Sequence, residues 1–533
     1  LASRTIGDIY GEIEEGGTTK GKNGLELQYD SLLRGQAGLS SVRRVGGGWT
    51  NVIEVDPVDG MDIRTTIDIN IQDITEKSLV DKLKAIDAES GTAVVMEVET
   101  GEIKAITNMG RIREGVYGET KNHAVADEIE PGSTFKVASI MVALEDGLCN
   151  PGDTVDVGNG IYMYKGARMT DHNMNKGGYG RISVEQAIWY SSNIGVAKTI
   201  LKGYSDNPTK FVEGLYRIGM NADLRLEIPG AGRAKIRRPD DTTRYWSKTT
   251  LPWMSFGYET QVPPINTLAF FNAIANDGKM VRPMFTKEIL HNGKTVQSFS
   301  TEVINSSICS DHTLALIKDM LLGVVEKGTG KAVHSDIVRI AGKTGTAQIT
   351  DARSREGRYY LGSMVAYFPA DNPRYTVLTT IETRAQPGKA YYGGPLAGPV
   401  VKRMVDYIYN RNRDWYGRVE RHGDRCYPGH VKGGDIAQIR RVADKFSPRA
   451  SFDQRTGWGR ARVDSLSNVI ITSLPPETGT MPDVRGMGLK DALFVLESRG
   501  LKVRFSGRGA VTQQSITAGA RIAPGTAVVI TLK

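Results

Sequence analysis

Three short strings hold the residues of this chain whose types and spacing could act together: Ser133-Thr134-Phe135-Lys136, Ser191-Ser192-Asn193 and Lys343-Thr344-Gly345-Thr346. A serine hydroxyl is nearly inert at neutral pH and becomes a nucleophile only beside a base. Lysine is such a base when burial or a second cation lowers its pKa, and Lys343 could be that cation for Lys136. Pro131 suits the first turn of a helix and Gly147 its end, so Ser133 and Lys136 lie three apart on one face with their heads in reach. Spacing alone is weak evidence, because a Ser three places before a Lys should arise about twice in such a chain at average usage. Here it arises once. A Lys-Thr-Gly triplet should occur by chance in roughly one such chain in ten, and this one follows the apolar run IVRIAG, which reads as a buried strand.

The middle string has two literal candidates. Ser191-Ser192-Asn193 follows the helical stretch VEQAIWY and precedes the small-residue run IGVAK, which suits a tight, buried loop between helices. Ser205-Asp206-Asn207 precedes Pro208 and reads as a helix cap. The first is favoured. Ser191 would pass a proton between Lys136 and a leaving amine, while Asn193 holds a substrate amide. Lys343, Thr344 and Thr346 offer one cation and two hydroxyls to a terminal carboxylate, with Gly345 leaving room for an extended peptide. The amides of Ser133 and Thr346 would form an oxyanion hole. Together the strings predict acyl transfer through Ser133.

The elements that must position these residues are legible in outline. With 533 residues, 40% hydrophobic and 24% charged, the chain has material for about three domains and is neither disordered nor collagen-like. Residues 1–75 are rich in turn signals with short strands, VIEVDPVDG and DIRTTIDINI, and read as a β-rich pedestal. Helical spacing from Asn70 to Ala85 leads into GTAVVMEVETGEIKAITN, two strands joined at Thr100 and Gly101. A mostly helical middle ends in a strand pair around Asp371-Asn372-Pro373 and a helix through LAGPVVKRMVDYIYN. Residues 76–410 are therefore expected to form an α+β domain, an antiparallel sheet enclosed by helices.

Residues 411–480 read as a basic linker: 411–476 hold 13 Lys or Arg against 7 Asp or Glu, most of the chain's net +8, and SLPPETGT carries paired prolines. Residues 481–533 read as a small αβ module, a helix from Leu489 to Ser498 ending at Gly500, then the strands LKVRF and AVVITLK. Cys149, Cys309 and Cys426 are scattered and odd in number, neither a zinc pattern nor a disulfide framework, and no metal or cofactor motif stands out. No run approaches 18 apolar residues, and the sequence opens inside what reads as a folded segment, RTIGDIYGEI, so a further N-terminal segment is expected.

Along nearly its whole length the chain resembles class B penicillin-binding proteins, the septal cell-division peptidoglycan transpeptidases above all. The resemblance rests on NGLELQYDSLLRGQAG, TTIDINIQ, GTAVVMEVETGEIKAI, EPGSTFK, WYSSN, MSFGYETQVPPINTLAFFNAIANDGKMVRP, GKTGTAQ and YYGGPLAGPV. The tail MPDVRGMGLKDALFVLESRGLKV resembles a PASTA module, with Ile516 where that family favours Pro after Gln514-Ser515. The resemblance implies a β-lactamase-like, penicillin-binding transpeptidase fold without cofactor or metal. It implies stem peptides ending in D-Ala-D-Ala as substrates, β-lactam antibiotics as inhibitors, and a glycan-polymerising enzyme and division proteins as partners. It also implies a single N-terminal membrane helix outside this sequence, a catalytic domain on the extracytoplasmic (periplasmic) side, and no nucleic acid. A D,D-carboxypeptidase, a β-lactamase and a penicillin-binding sensor or scaffold are the alternatives, the first two requiring activated water.

Overall fold

The computed structural model of the chain describes residues 1–10, 20–243, 245–349, 357–388, 390–412, 415, 432–446, 450–464, 468–474 and 479–533. They fall into two compact units, Leu1–Arg413 and Asp414–Lys533.

The first unit opens with short helical turns and an antiparallel hairpin of β1 (Leu39–Val45) and β2 (Gly48–Val55). Next, β3 (Asp62–Thr65) pairs with Thr286–His291, so the N-terminal strands are stitched to a segment far along the chain. The boundary expected after residue 75 falls inside α1 (Ile69–Ile86), whose first turn is capped by the Asp68 carboxylate at Asn70 and Ile71. This helix packs on the sheet that follows and belongs with it. The structural boundary therefore lies before the helix.

That sheet is the frame of the unit. It contains β4 (Ser90–Glu97), β5 (Ile103–Arg113), β6 (Val116–Gly118), β7 (Ala341–Ile349), β8 (Tyr359–Phe368) and β9 (Tyr375–Arg384). The order is β7-β8-β9-β4-β5-β6, antiparallel throughout. Burial along β4, β8 and β9 is nearly continuous, which requires cover on both faces. Helix α1 and the C-terminal helix Gly393–Arg411 supply part of that cover, and Pro264–Ala275, buried at every residue, supplies more. This is the α+β layering that the alternating strand pairs predicted. Because β7 is an edge strand, one side of Lys343–Thr346 is left without a strand partner.

At the centre of the main core lies α2 (Lys136–Glu145), with nine consecutive buried residues from Lys136 to Leu144. The expected single helix from Pro131 is divided: Gly132–Thr134 form a 3-10 turn and α2 begins at Lys136. The change in winding comes where Gly132 takes a φ of +55°, a conformation that suits glycine.

The second unit corrects the sequence reading. The expected linker contains a folded module: β10 (Gly434–Asp435), the helix Ile436–Phe446, β11 (Ala450–Phe452), β12 (Trp458–Val463) and β13 (Val469–Ser473). Ile436, Ala461, Val469 and Ile471 form its core. The C-terminal module repeats the pattern with the helix Leu489–Glu497, β14 (Lys502–Gly507), β15 (Val511–Gln514) and β16 (Ala527–Leu532). In each module the first strand after the helix runs parallel to the last, and the middle strand antiparallel to it. The modules adjoin through Trp458 stacked on Phe494 at 5.0 Å and an Arg460–Asp483 ion pair. So small a described core, with Ile439, Ala450 and Phe452 packed against those four, leaves no strong periodic signature among basic and glycine residues, which is why this module read as linker. The paired prolines and Cys426 lie outside the described residues.

Candidate active site

The three strings meet at the edge of the sheet. Ser133 lies on the 3-10 turn leading into α2, and Lys136 is the first residue of that helix. The turn packs against β7: a Cβ on Gly132 would stand 2.7 Å from the Thr346 carbonyl oxygen. Both this contact and the positive φ demand glycine. Gly132→Ala is expected to cost about 1–3 kcal/mol, read as a fall in denaturation midpoint, since side chain and backbone are strained together.

The favoured middle string forms the loop between α3 (Val184–Trp189) and α4 (Asn193–Tyr204), as its small-residue context predicted. Ser191 has a φ of +56°, rare for a residue with a Cβ, and its neighbours hold it there. Its N–H donates to Ile188 O at 3.2 Å, and the Ser192 N–H donates to Ala187 O at 2.9 Å. The alternative string does the work of a cap: Asn207 accepts from the Lys210 amide at the start of Pro208–Arg217.

Both lysines are wholly buried and converge on Ser191. Lys136 Nζ donates to the Ser191 carbonyl at 2.5 Å and to its Oγ at 3.2 Å. Lys343 Nζ donates to the same Oγ at 2.9 Å and to Thr344 O at 3.0 Å. With both lone pairs of Ser191 Oγ occupied by these donors, its own O–H is left to donate elsewhere. Burial pushes Lys136 down to about 7, against a smaller upward pull from the Asp171 carboxylate. Burial, then the charge of Lys136, holds Lys343 well below the usual lysine range. A drop of that size at Lys136 corresponds to roughly 5 kcal/mol of bias against the ammonium form. Five apolar side chains on α2, Val137, Ile140, Met141, Val142 and Leu144, offset it, each worth about 1.5–3 kcal/mol when buried. The protein thereby holds a lysine that loses its proton around neutral pH.

On β7 the side chains alternate. Lys343 and Gly345 share the face toward the nucleophile turn, where a Cβ on Gly345 would meet Thr134 Cγ2 at 3.0 Å. Thr344 and Thr346 point the other way: Thr344 Oγ1 pairs with Thr329 Oγ1 at 2.7 Å, and Thr346 Oγ1 accepts from the Gly393 N–H at 3.0 Å. Thr346 therefore keeps its hydroxyl proton for an acceptor. Further along, Gln348 N–H leaves the open edge to donate to Tyr258 Oη at 3.2 Å. The two-residue repeat aims the Thr346 N–H off the same edge, toward the turn that carries Ser133.

Sequence reasoning missed Asp171, a buried carboxylate beneath the SSN loop. Its Oδ2 accepts from Ser192 Oγ at 2.6 Å, and its Oδ1 from the amides of Asn193 at 2.6 Å and Ile194 at 3.1 Å. Asn193 Nδ2 donates to the adjacent Thr170 carbonyl at 2.8 Å. Asp171 stands among Asn, Gly and Lys in TDHNMNKGG, a composition that signals a turn and hides a buried anion. Also missed was a chain of rings around the same corner: Tyr190 stacks on Tyr179, Tyr179 meets His172, and His172 leads to Tyr392, Tyr391 and Tyr360. Among the described residues no group of His, Cys, Asp or Glu is placed to hold a metal ion, and no helix is long and apolar enough to cross a membrane. Cys149 and Cys309 are buried and unbridged.

Residues 91–406 match the penicillin binding protein transpeptidase domain, residues 1–65 the penicillin-binding protein dimerisation domain and residues 479–533 the PASTA domain. The chain is 29% identical over 408 residues to a probable peptidoglycan D,D-transpeptidase, PenA, of Neisseria flavescens, covering 73% of this chain and 94% of that one. It is 26% identical over 383 residues to a peptidoglycan D,D-transpeptidase FtsI homolog of Mesostigma viride, covering 66% of this chain and 61% of that one. It spans 64% of the PenA proteins of Neisseria meningitidis and Neisseria gonorrhoeae. Among solved structures, penicillin binding protein 2X of Streptococcus thermophilus shares the fold, with a TM-score of 0.66 at 22% identity over 100% of this chain and 81% of that one. The transpeptidase domain of Burkholderia pseudomallei penicillin-binding protein 3 matches with a TM-score of 0.54 at 27% identity, over 65% of this chain and 96% of that one. With the transpeptidase match alone spanning more than half of its residues, the chain belongs to the penicillin-binding protein transpeptidase family.

Proposed function

We propose that the protein is a serine-type D,D-transpeptidase that cross-links peptidoglycan stem peptides through an acyl-enzyme on Ser133, in septal wall synthesis, and that β-lactams inhibit it. The observation that carries this reading is the convergence on Ser191 Oγ of Lys343 and of Lys136, which starts the helix that follows the Ser133 turn. Neutral Lys136 takes the Ser133 proton as Oγ attacks the carbonyl of the penultimate D-Ala, and the amides of Ser133 and Thr346 receive the oxyanion. The Ser191 hydroxyl, already accepting from both lysines, passes a proton to the departing D-Ala nitrogen. The terminal carboxylate arrives along the open edge of β7, where the Thr344 and Thr346 hydroxyls take it from one face and Lys343, held low while buried alone, is favoured in its charged form by the carboxylate from the other. Asn193 orients the substrate amide. An amine of a second stem then attacks the ester, forming the cross-link and freeing Ser133. In this reading the catalytic domain works outside the cytoplasmic membrane, anchored by one helix, alongside a glycan-polymerising enzyme and division proteins; the pedestal and the two C-terminal modules serve those contacts.

Covalent labelling tests the assignment. Fluorescent penicillin is expected to label the wild type and leave Ser133→Ala blank, and equal labelling of the two would remove Ser133 as nucleophile. The two Asn candidates give a sharper contrast. Asn193→Ala is expected to slow acylation about a hundredfold. Asn207→Ala is expected to cost about 1 kcal/mol of stability as a lost cap and leave acylation unchanged. Stopped-flow acylation rates together with melting curves read both, and the reverse order of rates would move the site.

A further inference from the structure

We propose that Asp171 is a positioning residue for acyl transfer: its carboxylate anchors the loop and helix start that hold Ser191 between the two lysines. This rests on the acyl-transfer reading above.

Three donors meet on this one carboxylate, the Ser192 hydroxyl and the amides of Asn193 and Ile194. Ser192 Oγ in turn accepts from the Gly195 amide at 2.9 Å, so the first turn of α4 and the loop before it are held from a single point. Asp171 is 2% exposed and Ser192 is 0% exposed, and no solvent can stand in for either partner. Ser191, the residue before this anchor, is the one in the left-handed conformation. A strained serine whose hydroxyl must sit 3.2 Å from one Nζ and 2.9 Å from another needs such an anchor, because without it the loop relaxes toward ordinary φ values and the relay moves. Thr170, next to Asp171, holds the Asn193 side chain. Residues 170–171 therefore hold Ser192 and Asn193 directly and Ser191 through them.

The charges around this point are few. Lys136 feels it from α2, while His172 follows it in the chain and feels Lys136, Lys343 of β7 and Lys176. Tyr179 and Tyr190 close the side toward the ring cluster. Asp171 is the negative group that favours the ammonium of Lys136, and its removal drives that lysine further toward the neutral form. The base would then be ready at lower pH, yet wrongly placed.

Acylation by fluorescent penicillin, followed from pH 5.5 to 9, separates these effects. For Asp171→Asn the plateau rate is expected to fall at least about tenfold, while the acid-limb midpoint moves down. Ser192→Ala keeps the charge and the two amide bonds, so its plateau is expected to fall about fivefold with the midpoint unmoved. A merely structural role would reduce the amount of folded, labelled protein in both variants without moving either midpoint. A plateau rate per labelled protein equal to that of the wild type, in Asp171→Asn or in Ser192→Ala, overturns the proposal. Should Asp171→Asn fail to fold, the Ser192→Ala plateau decides. A wild type that takes up no label at all overturns the acyl-transfer reading and this inference with it, whereas a labelled wild type whose plateau both variants match overturns this inference alone.

Discussion

Replacing Lys136 with Met is expected to slow acylation by a β-lactam about a thousandfold while the protein remains folded. The size follows from what a placed general base contributes, about a hundred- to ten-thousandfold. Met is close to Lys in length and suits the apolar surroundings of α2, so the change removes the basic nitrogen with little loss of packing. Lys343 cannot replace it: its Nζ is already bonded to Ser191 Oγ and Thr344 O from the other side of the cleft. In the wild type the acylation rate should rise through a midpoint near 7, where Lys136 loses its proton, and the residual rate of the variant should lack that limb. Stopped-flow acylation across pH reads both. A variant within tenfold of the wild type would transfer the role of base to another group.

The same buried lysine gives stability a pH dependence of unusual sign. The folded chain releases the Lys136 proton at about 7, whereas the unfolded chain keeps it to near the ordinary lysine value of about 10.4. Between these limits the unfolded state binds more protons, so the free energy of unfolding rises with pH, by up to about 1.4 kcal/mol per unit from this one group. Raised thiol and phenol groups, such as Cys149, Cys309 and Tyr375, act in the opposite direction at higher pH, because there the folded state holds the extra proton. Comparison of the wild type with Lys136→Met cancels their share. In urea unfolding at pH 7, 8 and 9 the wild type should gain about 2–3 kcal/mol on the variant across the range. Parallel curves would mean that Lys136 keeps its proton when folded.

The three strings were legible because each combines a rare pattern with a local context that physics can read. Gly342–Thr346 announced a strand by the apolar run before it, and Asn207 announced a cap by the proline after it. The small residues after Asn193 marked α4 as a closely packed helix, and Gly195 there has Ala187 and Ser192 as its nearest neighbours. Asp171 had no such context, since a single acidic residue in a polar turn looks the same whether it faces water or three buried donors. The exact winding at Ser133 was hidden for a related reason: the 3-10 turn depends on Gly132 meeting Thr346 and Gly257, contacts from more than a hundred residues away. The antiparallel sheet could be inferred from its two hairpins, but the pairing of β9 with β4, which joins the two ends of the domain, is a long-range choice that no local pattern records. The module at 434–473 failed on size, with too few apolar positions to stand out from its charges.

The central claim is that Ser133 transfers a stem peptide to an amine, and the products of a defined reaction test it most directly. The protein, incubated with a pentapeptide ending in D-Ala-D-Ala, with and without an acceptor stem carrying a free amine, should release D-Ala and, when the acceptor is present, yield a cross-linked dimer by mass spectrometry. The Ser133→Ala protein should yield neither. Free tetrapeptide with no dimer at any acceptor concentration would contradict the account and make the protein a carboxypeptidase.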